Sequence, residues 1–384
     1  MSTLPNMVLF ALLQFGFALP AALAPMLAGP LLDRVPRKHI IYALDFLSAA
    51  LYIILYFLVK NDALPYGAQI GFNIMLGCIQ GVFTVAYDSL YPNLVAPQNM
   101  RRAYAISSMM WPLAGGLSYL LSALMVDKSG VEYLFLIVAA AFFVAAVFET
   151  MVRKQETHTS AKRSGLTRFF GDLREGFVYL KGEKGLSGIV WYFFCNAIVW
   201  GAAHTMLYPY FFALLGKEQG LWTYTLLMTA TTLGRLIGGG VQFFVKYPTK
   251  KKFAIALFVY IILCFIEGGY LFIPVLGVML AVHTVSGLLA VTSYNIRTSS
   301  TQSYVPDAVR ARFNSVFVVL NTFGNAFGAL VAALVAGLAE LTGGALQVPA
   351  VFAVLNFINL LVTLLVLLPR RKDVAAIYNV DLDR

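Results

Sequence analysis

The sequence predicts an all-α membrane protein with its helices in two lobes, and three observations carry the prediction: the composition, the recurrence of apolar stretches of spanning length, and a repeat between the halves. Of 384 residues, 60% are hydrophobic and 12% charged, whereas a soluble domain carries charge on about a quarter of its residues. Lipid is therefore the solvent for most of the chain. Crossing about 30 Å of hydrocarbon at 1.5 Å per residue takes roughly 20 residues, and an open strand there would leave its backbone unsatisfied. Each long apolar stretch is accordingly read as a helix.

Eleven such stretches follow in order. Leu9 to Pro30 runs into Asp33 and Arg34; it has no basic leader and is too long for the apolar core of a secretory signal. Ile40 to Val59 starts just after Arg37 and Lys38 and stops at Lys60. Tyr66 to Tyr87 carries a polar face, and Ala103 to Met125 follows Arg101 and Arg102. Tyr133 to Val152 ends at Arg153. A polar stretch then divides the chain, and six more follow: Leu186 to Tyr208, Leu221 to Val245, Phe253 to Leu271, Val275 to Asn295, Phe313 to Leu338 and Val351 to Leu368. The expected organisation is a first lobe over residues 1–152, a linker over 153–185, a second lobe over 186–369 and a tail over 370–384. Within the linker, Leu166, Phe169, Phe170, Leu173, Phe177 and Leu180 keep helical spacing opposite charged residues, which suits a helix on the inner membrane surface.

Placing the 28 Lys and Arg residues in loops sets the orientation. All but four fall on one face, taken as the inner one; Lys60, Lys128 and Lys217 fall outside, and Arg235 stays within a helix. The net charge of +10 thus reports topology and contact with anionic membrane lipids, and needs no nucleic-acid partner. The three cysteines, Cys78, Cys195 and Cys264, have no metal-ligand spacing. No phosphate-binding glycine loop or nucleophile motif occurs, so neither a cofactor, nor enzymatic chemistry, nor ATP-driven work is expected.

The halves echo each other. Leu94 to Arg102 (LVAPQNMRR) matches Tyr304 to Arg312 (YVPDAVRAR) at an offset of 210, and Pro36 to Leu44 (PRKHIIYAL) matches Pro248 to Leu257 (PTKKKFAIAL) at 212 to 213. Two bundles repeated in the same order suit a two-lobed transporter with a cavity near the bilayer midplane. The offset of about 210 also maps the Leu186 to Tyr208 stretch to positions just before Met1. A further apolar segment of about 20 residues is therefore expected upstream, and the coding sequence before Met1 would show it.

Gly29 to Lys38 reads GPLLDRVPRK, which resembles the loop signature after the second helix of the major facilitator superfamily. Gly29, Asp33, Arg34, Arg37 and Lys38 match it position by position, and Pro36 replaces the usual glycine. The resemblance implies a two-lobe major facilitator fold, here eleven predicted transmembrane helices of a twelve-helix plan, and a conformational switch at this loop. A basic inner loop alone would explain the charges as well. In the fourth stretch, Pro112, Gly115 and Gly116 follow Trp111 in a pattern similar to that of the family's proton-driven exporters, where Trp111 would be glycine; a bent, closely packed helix would also account for it.

Ionisable or polar groups inside spans are functional candidates by default. Asn196, Trp200 and His204 lie four residues apart and share a face, on what the resemblance makes the cavity-lining seventh helix. His204 suits a coupling proton, since its unperturbed pKa lies near physiological pH, or else a hydrogen bond between helices. Asn73, Gly77, Gln80 and Thr84 form a polar face on the family's fourth helix, His283, Ser286 and Ser293 on the tenth, and Asn321 and Asn325 on the eleventh. Arg235, eleven residues before Lys246, should sit about 16 Å up its helix. It requires an acid, with Asp45, Asp88 and Glu149 available, or an anionic ligand. Glu267, followed by Gly268 and Gly269, is expected at a wet outer helix end.

These readings together anticipate a monomeric secondary active transporter of a bacterial-type cell membrane, with the loop after Gly29 and the C-terminus cytoplasmic. It would work by alternating access, exporting a small amphipathic or drug-like solute in exchange for protons. The alternatives are proton-coupled uptake, or a receptor or lipid flippase on the same fold.

Overall fold

The computed structural model describes residues 7–94, 110, 113–119, 121–122, 124–125, 130, 132–152, 166–244, 247–341 and 347–379. Among them there is no strand. The helices are α1 (Met7–Arg34), α2 (Arg37–Lys60), α3 (Tyr66–Leu94), α4 (Glu132–Thr150), α5 (Leu166–Gly182), α6 (Lys184–Leu215), α7 (Lys217–Phe244), α8 (Lys252–Gly269), α9 (Leu276–Tyr304), α10 (Asp307–Leu341), α11 (Val348–Val362) and α12 (Arg371–Tyr378). Residues 113–119 are helical too. Eight helices of the described residues are long and apolar enough to cross a membrane, and they coincide with eight of the eleven predicted stretches. The other three differ for identifiable reasons. α1 is apolar over Val8–Ala24, the fourth stretch lies mostly outside the described residues, and α7 is helical throughout but rich in threonine and glycine.

The chain divides into two compact units. One comprises Leu12–Met110 and Leu121–Asp172. In it α2 packs along α4 through an aromatic ladder: Tyr52 stacks on Phe142 at 5.7 Å between centroids, and Phe46 meets Phe143 edge-on at 5.7 Å. Ile40, Ile41, Ala86 and Leu90 make its small buried core. Large apolar side chains such as Phe57, Phe143 and Phe148 stay more than half exposed, as expected of surfaces whose solvent is lipid.

The other unit comprises Met1–Ala11, Trp111–Leu120 and Leu173–Arg384. Its core gathers Ala202, Met206, Phe211 and Leu227 with Tyr270, Met279, Ala332 and Phe352. Two pairs of helices approach so closely that only glycine fits between them. A Cβ on Gly234 of α7 would collide with the Thr284 carbonyl of α9, and one on Gly287 of α9 with the Thr231 carbonyl of α7; Gly201 of α6 and Gly328 of α10 seat in the same reciprocal way against the Asn325 and Ile198 carbonyls.

From Leu173 onward the amphipathic α5 has protein to lean on. Leu173 and Leu180 are buried, Gly176 sits against Val316 and the Arg312 carbonyl, and Arg312 pairs with Glu175 at 2.7 Å. The stretch after residue 370 opens with α12, whose Val374, Ile377 and Tyr378 are buried. Tyr378 shares a 2.9 Å hydrogen bond with Tyr260 of α8, and its carbonyl accepts one of 3.1 Å from Ser300 of α9.

Candidate functional site

Helices α6, α7, α8, α9 and α11, with Tyr119, enclose a cavity of about 90 Å3 within the second of these units. Its walls are mainly apolar, and a few polar groups converge on it, the usual character of a small-molecule site. The glycine seats decide which polar residues arrive. Arg235 follows Gly234, and Ser286 precedes Gly287, so the close approach of α7 to α9 turns the Arg235 and His283–Ser286 stretches toward one space.

Trp200 and His204, one turn apart on α6, stack with centroids 4.9 Å apart and an interplanar angle of 29°. The Arg235 guanidinium lies over the Trp200 ring, 5.4 Å from its centroid, a cation–π contact that holds a charge where water is scarce. On α9, His283 Nδ1 lies 2.8 Å from Thr231 Oγ1. That hydroxyl already donates to the Leu227 carbonyl at 3.0 Å. The imidazole must therefore donate from Nδ1, and Nε2 is left as an acceptor. Nε2 is buried and finds no hydrogen-bond partner among the described residues, while the buried Ser286 hydroxyl lies within reach of the Glu267 carboxylate. Tyr270 meets the His283 ring edge-on at 5.0 Å, and Asn356 commits its amide to the Phe352 carbonyl at 3.0 Å.

Glu267 overturns the expectation of a wet outer carboxylate: it lines this cavity together with Arg235. The reason lies in Gly268. A Cβ there would come within 3.0 Å of Asn356 Cβ, so the glycine that reads as a helix end is a packing seat that draws α8 against α11. Arg235 and Glu267 act on each other electrostatically. Among the described residues, however, the guanidinium rests on Trp200 and makes no ion pair. The acid beside Arg235 is thus Glu267. Asp45 and Glu149 neighbour each other in the other unit, and the side chain of Asp88 lies outside the described residues.

A sequence profile of the Major Facilitator Superfamily matches residues 6–329. The chain belongs to this superfamily. Membership makes it a multi-pass membrane protein of a transporter family rather than an enzyme. The uncharacterised MFS-type transporter YkuC of Bacillus subtilis (strain 168) is 20% identical over 270 residues, 67% of this chain. The chain spans 61% of the length of that relative in the match. Among solved structures, the nucleoside transporter NupG is 15% identical with a TM-score of 0.62, covering 94% of this chain and 90% of its own. A peptide transporter holding alafosfalin is 13% identical with a TM-score of 0.65, covering 97% and 85%. A bacterial homologue of the lysosomal transporter Spinster is 14% identical with a TM-score of 0.57, covering 98% and 95%. At these identities the likeness is one of fold.

Of the residues singled out in the sequence, the structure gathers Trp200, His204, Arg235, His283 and Ser286 in the cavity. Others find partners elsewhere. Asn196 accepts a 3.0 Å hydrogen bond from Asn359 of α11, and Asn325 donates to the Asn321 carbonyl on its own helix at 3.0 Å. In the other unit, Asn73 donates to the Gln69 carbonyl at 2.9 Å and Gln80 to Thr84 Oγ1 at 3.1 Å, each within α3. Gly29, Asp33 and Arg34 of the superfamily loop signature close α1; their side chains lie outside the described residues. Lys38 donates to the Thr150 and Val152 carbonyls at the C-terminal end of α4, and Arg37 opens α2. Pro112 lies outside the described residues. Gly115 faces open space, and Gly116 abuts Thr232 of α7.

Sequence reasoning missed Glu267, Tyr270, Thr231 and Asn356 as cavity residues. A carboxylate inside an apolar stretch that also lacks a nearby base was the available signal for Glu267.

Proposed function

We propose that this chain is a secondary active transporter that moves a small amphipathic or drug-like solute by alternating access, exporting it in exchange for protons. One observation carries the reading: a cavity with apolar and aromatic walls, into which Arg235, Glu267, His204, His283 and Ser286 converge. Charges inside a membrane domain are costly, and they mark solute or ion pathways. The reading keeps the two lobes at residues 1–152 and 186–369, joined by the linker over 153–185, with the tail from 370 and the loop after Gly29 on the cytoplasmic side of a cell membrane. The Asp33 loop is its switch, and the protein works as a monomer in contact with membrane lipids.

The test is flux in reconstituted vesicles with an imposed pH gradient. Solute movement against the proton gradient supports exchange, and movement with the protons makes the coupling symport. Flux indifferent to the gradient points to facilitation or lipid flipping, and no flux in either direction overturns transport.

A further inference from the structure

We infer that the cavity takes a zwitterionic solute, an apolar or aromatic body bearing one anionic and one cationic group. The inference rests on the reading of the cavity as a solute site and names the chemistry of what fills it. Its ground is that two opposite charges, Arg235 and Glu267, line one small space without neutralising each other by direct contact among the described residues.

The anionic end has a donor set waiting. Arg235 presents five N–H groups in a planar fork suited to a carboxylate; its guanidinium lies over the Trp200 face, with Tyr119 and Glu267 as its electrostatic neighbours. The cationic end has acceptors. An ammonium carries three donors. Ser286 Oγ stands beside Glu267 with lone pairs to spare, and His283 Nε2, buried and left as an acceptor by the Thr231 bond, lines the same cavity. Ser286 is 5% exposed and lies close enough to act on the Glu267 carboxylate. Tyr192 of α6, Cys264 of α8 and Tyr270 just beyond α8 also act on Glu267 electrostatically; none of them carries a positive charge.

Charge arithmetic excludes the simpler solutes. A monoanion drawn to Arg235 is repelled by Glu267, and a monocation drawn to Glu267 is repelled by Arg235, in surroundings where a like-charge encounter is poorly screened. Only a molecule with both charges satisfies both walls, while Trp200 and Tyr270 offer ring surface to its body.

The experiment measures binding to the detergent-solubilised full chain by three probes that share one body: phenylalanine with both charges, 2-phenylethylamine with the cation only and 3-phenylpropionate with the anion only. Phenylalanine is expected to bind at least about tenfold more tightly than either analogue. Glu267→Gln should bring 3-phenylpropionate to within about threefold of phenylalanine, and Arg235→Met should do the same for 2-phenylethylamine. Should a single variant fail to fold, the charge-exchanged pair Arg235→Glu with Glu267→Arg keeps both charges and is expected to keep the preference for phenylalanine. A single-charge probe that binds the parent as tightly as phenylalanine, or no binding by any of the three, overturns the inference. Binding as expected with no flux in vesicles would instead leave the solute class standing and remove the transport reading.

Discussion

An arginine most of the way along an apolar helix has two ways of keeping its charge: it can reach water along its stem, or it can find a partner within the protein. Arg235 takes the second course, resting on Trp200 with Glu267 in the same cavity. Arg235→Met should therefore lower the thermal stability of the purified protein, because it leaves Glu267 without a compensating charge. Adding Glu267→Gln should restore part of the loss, with a coupling energy of about 1–3 kcal/mol in a double-mutant cycle. Strict additivity of the two substitutions would show that the residues do not sense each other. His204 differs from His283 in that its ring is stacked on Trp200. If it carries the coupling proton, His204→Gln should flatten the pH dependence of transport more than it weakens solute binding. Superimposable pH profiles for variant and parent would make it a packing residue.

At the scale of the element, the cavity exists because α7 and α9 touch backbone to backbone. Gly234 is a position where even a methyl group must displace the Thr284 carbonyl, whereas Gly239, also on α7, has nothing within 4 Å of an added Cβ. Gly234→Ala should thus destabilise the protein by about 1–3 kcal/mol and weaken solute binding, since it moves Arg235 away from His283 and Ser286. Gly239→Ala should change stability by no more than about 0.5 kcal/mol. Equal effects in thermal unfolding would mean that helix propensity, not the close approach, governs this helix. The glycines of α7 are visible in the sequence, but nothing in their spacing says which of them touches a neighbour.

At the scale of the whole molecule, the superfamily fold places a charged signature at the junction of α1 and α2, and Lys38 ties that junction to the C-terminal end of α4 through two carbonyls. A loop bound in this way can act as a switch only if its charges change partners as the cavity changes sides. Asp33→Asn should then leave membrane insertion and solute binding intact while sharply reducing vesicle flux. Flux equal to that of the parent would remove the switch role from Asp33.

The linear sequence by itself determined the solvent, the helices and the fold. A 60% hydrophobic chain with 12% charge has to live in lipid, and backbone hydrogen bonding there admits helices. The GPLLDRVPRK signature and the internal repeat then point to the superfamily fold. It also marked Trp200, His204, Arg235, His283 and Ser286, because polar groups on apolar helices stand out. Only the tertiary structure decided which of the marked residues meet. Asn196 bonds to Asn359 and Asn325 to Asn321, whereas Glu267, set aside in the sequence as an interface carboxylate, turns out to be the charge beside Arg235. Helical periodicity tells which residues share a face of one helix. It does not tell which helix that face will meet, and in this protein the meeting is set by glycine seats such as Gly234, Gly268 and Gly287, where backbones close to contact distance.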